Sequence, residues 1–315
     1  MSEATSWVLP APLGRASAYV RLGKLQVWQH WWAIPIVWSL LSPSMALTPR
    51  AVAILALVLL SMMGLMAATM AFDDVSGFRD GTDARNYLAS NKVRNIRRKP
   101  LLTGELSEAQ ALRFAYAAAL FGFVCGVAPY LIGARWSPWV LTVFIFGGLA
   151  AIQYSSGLRI SYAGGGELLL VLATACTIVL PYASLTGTMS GHVLVEGVLL
   201  GVLLLTVPLF SNTSDAANDR LAHRRTLAAS LSATANDRLI VAVFAAGFGL
   251  VVVGAVIGLL PTWLLLLMLP AWALQLRQLR DGVGRRRWLE GRRVGFRAFD
   301  FAAAALLVAN LLAWT

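Results

Sequence analysis

The chain has 315 residues, of which 58% are hydrophobic and only 13% charged, with a formal net charge of +11. Charge at roughly half the share usual in soluble proteins excludes a soluble globular domain. The excess of arginine is spread between apolar runs instead of forming a basic, aromatic-interleaved module, which excludes nucleic acid as a partner.

Apolar stretches of about twenty residues recur along the whole chain, so the expected fold is all-α, a polytopic membrane helix bundle of about nine transmembrane helices. Residues 1–14 read as a flexible tail and 16–24 as a short interfacial helix, with basic residues beside Tyr19, Val20 and Leu22. Residues 1–25 therefore stand apart from one transmembrane helical domain over 26–315. No cleavable signal peptide is expected, because Pro10, Pro12, Arg15, Arg21 and Lys24 leave no compact apolar core near the start. A first span is expected at 26–41, opened by Trp28, Trp31 and Trp32 as an interfacial aromatic belt. Further spans are expected at 51–71, 111–132, 139–154, 168–185, 194–210, 239–260, 263–274 and 301–314. Cys125 and Cys176 fall inside apolar runs, where cysteine acts as a small hydrophobe, and no disulfide or sulfur metal site is expected.

Nine spans put alternate links on opposite sides. The N-terminus and the links between spans 2 and 3, 4 and 5, 6 and 7, and 8 and 9 hold nearly all the lysine and arginine, whereas the other side has only Arg50 and Arg135. The positive-inside rule makes the basic side cytoplasmic. The expectation is a multi-pass protein of a bacterial cell membrane with its site facing the cytoplasm.

Two acidic stretches lie on that side. The first, residues 72–83 (FDDVSGFRDGTD), places Asp73, Asp74, Asp80 and Asp83 directly after a run, 51–71, that carries no charge. Carboxylates beside hydrocarbon are expensive and point to function. If the helix continues, Asp73, Gly77 and Asp80 share a face with Asp74 beside them. Hard oxygen ligands on one face suit Mg²⁺, which binds through a few carboxylates plus substrate phosphates. The second stretch follows the apolar run 197–210, and its Asn212, Asp215 and Asp219 recur at i, i+3 and i+7, one stripe of a helix. Two such stripes at two helix ends suit metal ions bridged by a diphosphate. The separation of Asp73 from Asn212 is close to half the membrane region, which suits two related helical halves.

Three segments together resemble the UbiA superfamily of intramembrane prenyltransferases. They are the second acidic stretch with its tail, 212–228 (NTSDAANDRLAHRRTLA), the segment 98–107 (RKPLLTGELS), and the link from 154–157 (YSSG) to 165–168 (GGEL). The first of these is most similar to the menaquinone-type branch. The resemblance implies a UbiA-like bundle with metal held by Asp73, Asp74, Asp80, Asp83, Asn212, Asp215 and Asp219. Of these, Asp74, Asp215 and Asp219 are implied to be catalytic. It implies diphosphate contacts from Lys99, Arg98, Arg159, Tyr154 and Arg225, with Lys99 favoured because it aligns with the family's arginine before proline.

Departures stand beside the likeness. Asp73 replaces the usual asparagine, and Gly77 stands where the third motif position is normally aspartate, so Asp80 or Asp83 is expected to supply the missing acid. His223 replaces a common glycine, and Lys24-Leu25 stands near the place of an absent Arg-Pro. The basic run Lys92, Arg94, Arg97, Arg98 and Lys99 reads equally as cytoplasmic loop charge and as a source of diphosphate contacts.

The implied chemistry is Mg²⁺-dependent ionisation of an isoprenyl diphosphate and prenyl transfer to a small, aromatic acceptor. The alternative is a UbiA-type terpene cyclase that closes the prenyl chain on itself and releases diphosphate. A transporter is disfavoured because both stripes lie at one face and not near the midplane. Partners expected are therefore the prenyl diphosphate, an acceptor if a transferase, and the lipid bilayer.

Overall fold

A computed structural model describes residues 13–88, 94–135 and 137–314, so most of the tail expected over 1–14 lies outside the described residues. All regular structure among them is helical. In chain order the helices are α1 (Arg15–Leu22), α2 (Ala33–Leu40), α3 (Pro43–Ala46), α4 (Pro49–Arg79), α5 (Thr82–Leu88), α6 (Glu108–Val127) and α7 (Pro138–Ile152). They continue with α8 (Gly166–Thr186), α9 (Gly191–Leu221), α10 (Leu227–Ser230), α11 (Ala233–Val256), α12 (Leu264–Leu267), α13 (Leu269–Leu279) and α14 (Trp288–Leu312).

Among the described residues six helices are long and apolar enough to cross a membrane: α4, α6 with the turn that follows it, α8, α9, α11 and α14. The fourth expected span is the shorter α7. The first and eighth are broken. Residues 26–41 form a 3-10 turn, Trp28–Trp32, and the eight-residue α2, which contains Pro35 and ends where Leu41 becomes extended (ψ 154°). Residues 263–274 split between α12 and the start of α13, with Pro270 at its first turn. Apolar composition marks such a stretch as membrane-embedded, but proline removes the backbone donor that a continuous helix needs.

Two helices position the candidate site. α4 and α9 each have 31 residues, about 46 Å at 1.5 Å per residue, against a hydrocarbon thickness of about 30 Å. Their last turns therefore project past the apolar layer and carry polar residues. α4 starts cleanly: Thr48 accepts from the Ala51 N–H at 3.2 Å, and Pro49 fills a position whose N–H would have no partner. α9 begins with the same device, Ser190 accepting from the Val193 N–H.

The helices pack through small residues. A Cβ on Gly64 would lie 2.7 Å from the backbone of Gly122, and the Ser61 hydroxyl donates to the Gly122 carbonyl at 2.7 Å, so α4 and α6 meet backbone to backbone. Gly197 and Gly201 of α9 face the backbone of Ala175 and Val171 on α8 in the same way. α9 is the central helix, with 72% of its most apolar stretch buried against 39% in α4 and 33% in α11. The surface is apolar as well: Leu120, Leu131, Phe146 and Leu266 are exposed, as lipid-facing side chains are. α1 packs inward, with Ala18 and Leu22 fully buried beside Ala68, Phe72 and Ala115.

Candidate active site

The last two turns of α4 carry Asp73 and Asp74. Asp74 is 1% exposed. Its Oδ1 accepts from Lys99 Nζ at 2.8 Å and lies 3.6 Å from Lys24 Nζ, while its buried Oδ2 has no hydrogen-bond partner among the described residues. Asp73 accepts from the Ser155 hydroxyl at 2.5 Å and from Arg224 at 3.2 Å, with Lys24 at 3.8 Å. The helix then stops at Arg79, with Asp80 as its C-cap. Both Asp80 oxygens have partners: one accepts from the Thr82 N–H at 2.9 Å and the other from the Tyr162 hydroxyl at 2.5 Å. Gly81 follows with φ 74°, which glycine adopts without strain, and the reversal carries α5 back toward α4. Asp83 then reaches Lys99 at 2.7 Å. The helix thus ends at Asp80, and Asp83 shares the Lys99 ammonium with Asp74.

Asn212, Asp215 and Asp219 all lie within α9, which does continue through its acidic stretch. Arg94 Nη2 donates to both Asp215 oxygens, at 2.7 and 2.9 Å. Asp219, 4% exposed, accepts from the Thr226 hydroxyl at 3.1 Å. Asn212 donates its amide to Glu167 Oε1 at 3.0 Å, and the same oxygen accepts from the Leu227 N–H at 3.0 Å. The two stripes meet: Asn218 of α9 donates to Asn86 of α5 at 2.6 Å, and Arg224, just after α9, is bound to Asp73 of α4.

Acids and bases alternate across this end of the bundle, with aromatic rings beneath the bases. Arg94 and Lys99 each lie 5.5 Å from the Tyr87 ring centre, and Arg224 lies 5.6 Å from Tyr154 and 5.3 Å from Tyr162. Burial alone would lower the Lys99 ammonium, but Asp74 and Asp83 hold it well above its usual value. Burial pushes the Asp83 carboxyl up to about 6 against the pull of Lys99, and the Asp74 charge adds to the rise. One ammonium thus serves two carboxylates, at 2.7 and 2.8 Å. Burial opposes the Arg224 charge, but Asp73 outweighs it and raises that group. Burial pushes the Tyr154 and Tyr162 hydroxyls up to about 12, so both remain hydrogen-bond donors at neutral pH.

Of the five residues expected at a diphosphate, Lys99 is buried at the centre and Tyr154 lies under Arg224. Arg159 stacks 3.7 Å over Tyr162 and lies 3.9 Å from Asp80. Arg98 and Arg225 are exposed, and Lys92 lies outside the described residues. Three bases outside the five expected at the diphosphate take inner positions: Lys24, Arg94, which belongs to the basic run weighed above, and Arg224. Lys24 had a signal, since it stands near the place of the absent Arg-Pro. Arg224 had only its neighbourhood, because its direction is set by His223, whose left-handed backbone (φ 54°) turns the chain.

Whether this donor set fits Mg²⁺ turns on its chemistry. No group of three or more His, Cys, Asp or Glu side chains is gathered as a ready metal cage among the described residues. Mg²⁺ does not need one, because it keeps waters and takes a few carboxylates together with substrate phosphates. Asp74 presents a buried oxygen without a partner, and every acid around it offers hard oxygen donors. The residues fit the ion.

The sequence profile of the UbiA prenyltransferase family matches residues 20–296. A UbiA homologue from Aeropyrum pernix K1 superposes with a TM-score of 0.65 at 16% identity, covering 90% of this chain and 98% of its own. A structure described for digeranylgeranylglyceryl phosphate synthase has a TM-score of 0.63 at 11% identity, covering 95% and 99%. A UbiA homologue from Archaeoglobus fulgidus bound to DMAPP and Mg²⁺ has a TM-score of 0.52 at 15% identity, covering 91% and 98%. At such identities the likeness is one of fold. No curated protein matches the sequence. The chain belongs to the UbiA prenyltransferase family.

Proposed function

We propose that this member of the UbiA prenyltransferase family ionises an isoprenyl diphosphate with the help of Mg²⁺ and transfers the prenyl group to a small aromatic acceptor. The observation that carries the reading is the alternation of acids and bases between the ends of α4 and α9. Carboxylates for a cation and ammonium or guanidinium groups for phosphate oxygens stand within 2.7–3.2 Å of each other at Asp74–Lys99, Asp83–Lys99, Asp215–Arg94 and Asp73–Arg224. A magnesium diphosphate carries both complementary charges. The Archaeoglobus fulgidus homologue with DMAPP and Mg²⁺ supports that ligand class.

In this reading Asp73, Asp74 and Asp83 hold metal from one side, and Asn212, Asp215 and Asp219 from the other. Bound there, Mg²⁺ supplies Lewis-acid stabilisation of the leaving diphosphate. Lys99, Arg94 and Arg224 donate to phosphate oxygens as the C–O bond breaks and its electron pair leaves with the diphosphate. The hydrocarbon chain extends into the apolar bundle, which keeps water from the allylic cation. The acceptor's ring carbon then forms the new C–C bond and loses its proton. The site opens on the side that the basic links mark as cytoplasmic.

The test is an incubation of the purified protein with Mg²⁺ and prenyl diphosphates of ten to twenty-five carbons, with and without an aromatic acceptor. Diphosphate release and a prenylated product that depend on the acceptor are expected. A cyclic hydrocarbon released without any acceptor would replace transfer by cyclisation.

A further inference from the structure

Position 77 lies one turn beyond Asp73 and Asp74 on the same face of α4, where a side chain would project into the acid cluster. It is glycine, and its space is filled from elsewhere. A Cβ on Gly77 would lie 2.9 Å from Asp83 Cγ, 2.9 Å from its Oδ2 and 3.1 Å from its Oδ1. All three nearest atoms belong to one carboxyl group. This sets Gly77 apart from Gly64 and Gly122, whose missing side chains make room for the backbone of a neighbouring helix. Gly77 is buried, and Asp83 is 8% exposed.

We propose that Gly77 is a socket that positions Asp83, so that the third acid of the first stripe is delivered by α5 and not by α4. The proposal rests on the metal–diphosphate reading above and says where that site's third acid comes from. Three observations support it independently of the glycine. Asp83 shares the Lys99 ammonium with Asp74, at 2.7 and 2.8 Å, so its carboxylate stands at the cluster and not beside it. Asp74 Oδ2, a buried acceptor with no hydrogen-bond partner among the described residues, lies in that cluster. Gly81 provides the reversal that brings α5 back.

Seating Asp83 at Gly77 has a consequence for the second stripe. α5 also carries Asn86, which accepts from Asn218 of α9 at 2.6 Å. It carries Tyr87 too, whose ring lies under both Lys99 and Arg94, bases paired with acids of different stripes. One seven-residue helix therefore spans the gap between α4 and α9, and the socket fixes one end of it. Gly77 is a positioning residue in this scheme, since it acts only through Asp83.

The test is a double-mutant cycle on the full-length protein in detergent. Mn²⁺ binding is read by electron paramagnetic resonance with inorganic pyrophosphate present, and thermal unfolding is followed in parallel. Gly77→Ala should weaken Mn²⁺ binding about 10-fold and Asp83→Ala about 10- to 100-fold, the range for groups that hold a metal site in place. In the Asp83→Ala background Gly77→Ala should cost nothing further, because there is no carboxylate left to displace. Gly77→Asp with Asp83→Ala should return the acid to α4 and recover most of the affinity. Equal losses from Gly77→Ala in both backgrounds, or no recovery in the Gly77→Asp variant, would overturn the socket while leaving the metal reading intact. A wild type that takes up no Mn²⁺ with pyrophosphate would overturn the metal reading. The unfolding cycle would then still decide the socket, which requires Gly77→Ala to lower the Tm only when Asp83 is present.

Discussion

Three of the four non-glycine residues with left-handed backbone among the described residues, Lys24, Arg159 and His223, border the candidate site. Strain of this kind persists where surrounding contacts fix it, and here it aims side chains. His223 turns the chain after α9, and its backbone N–H donates to the Arg220 carbonyl at 3.1 Å. Arg224 consequently enters the acid cluster while Arg225 faces solvent. The left-handed region costs a residue with a side chain about 1–2 kcal/mol, which glycine avoids at some cost in unfolded-state entropy. His223→Gly is therefore expected to raise the Tm slightly and leave prenyl-diphosphate turnover in place. A clear fall in Tm would mean that the imidazole makes contacts that matter more than the backbone. This residue also shows the limit of a local pattern. The two arginines are adjacent and identical in type, yet the turn at His223 leaves one guanidinium half-buried against Asp73 and the other exposed.

At the scale of elements, the sequence made α4 and α9 legible because each pairs a long uncharged run with an abrupt acidic end, a contrast that hydropathy and charge both record. The break after Arg79 was less legible. Gly-Thr-Asp announces a turn, and the bond from the Thr82 N–H to Asp80 is local, but the capture of Asp80 by Tyr162 is set by tertiary packing. The interruptions around α2 and α12 are also less legible, because apolar composition alone does not register Pro35 and Pro270. The joint between α8, α9 and α10 rests on one carboxylate oxygen, since Glu167 Oε1 accepts from both Asn212 and the Leu227 N–H. Removing the shared acceptor of these two part-buried donors should cost about 1 kcal/mol each. Glu167→Ala should therefore lower the Tm and turnover together. Glu167→Gln, which keeps an acceptor oxygen, should retain most of both. Equal damage from the two variants would show that the charge matters and not the hydrogen bonds.

Across the whole molecule, the two acidic stretches lie far apart in sequence yet close through pairs that no local pattern reveals. Arg94 reaches Asp215 across 121 positions, and Arg224 reaches Asp73 across 151. The acids could be found in the sequence by their cost near hydrocarbon, whereas their partners required the fold. The bundle brings two projecting helix ends together, and the basic links between spans supply the counter-charges. The central claim is that these ends form one site for a magnesium diphosphate. Its most direct test is the Mg²⁺-dependent release of diphosphate from a prenyl diphosphate by wild type, Asp74→Asn, Asp215→Asn and Asp219→Asn, each reconstituted in lipid and checked for unchanged helical content. The account predicts that every variant loses at least about 100-fold in rate, as expected when a group stabilising transition-state charge is removed. Near-normal release by all three would contradict it.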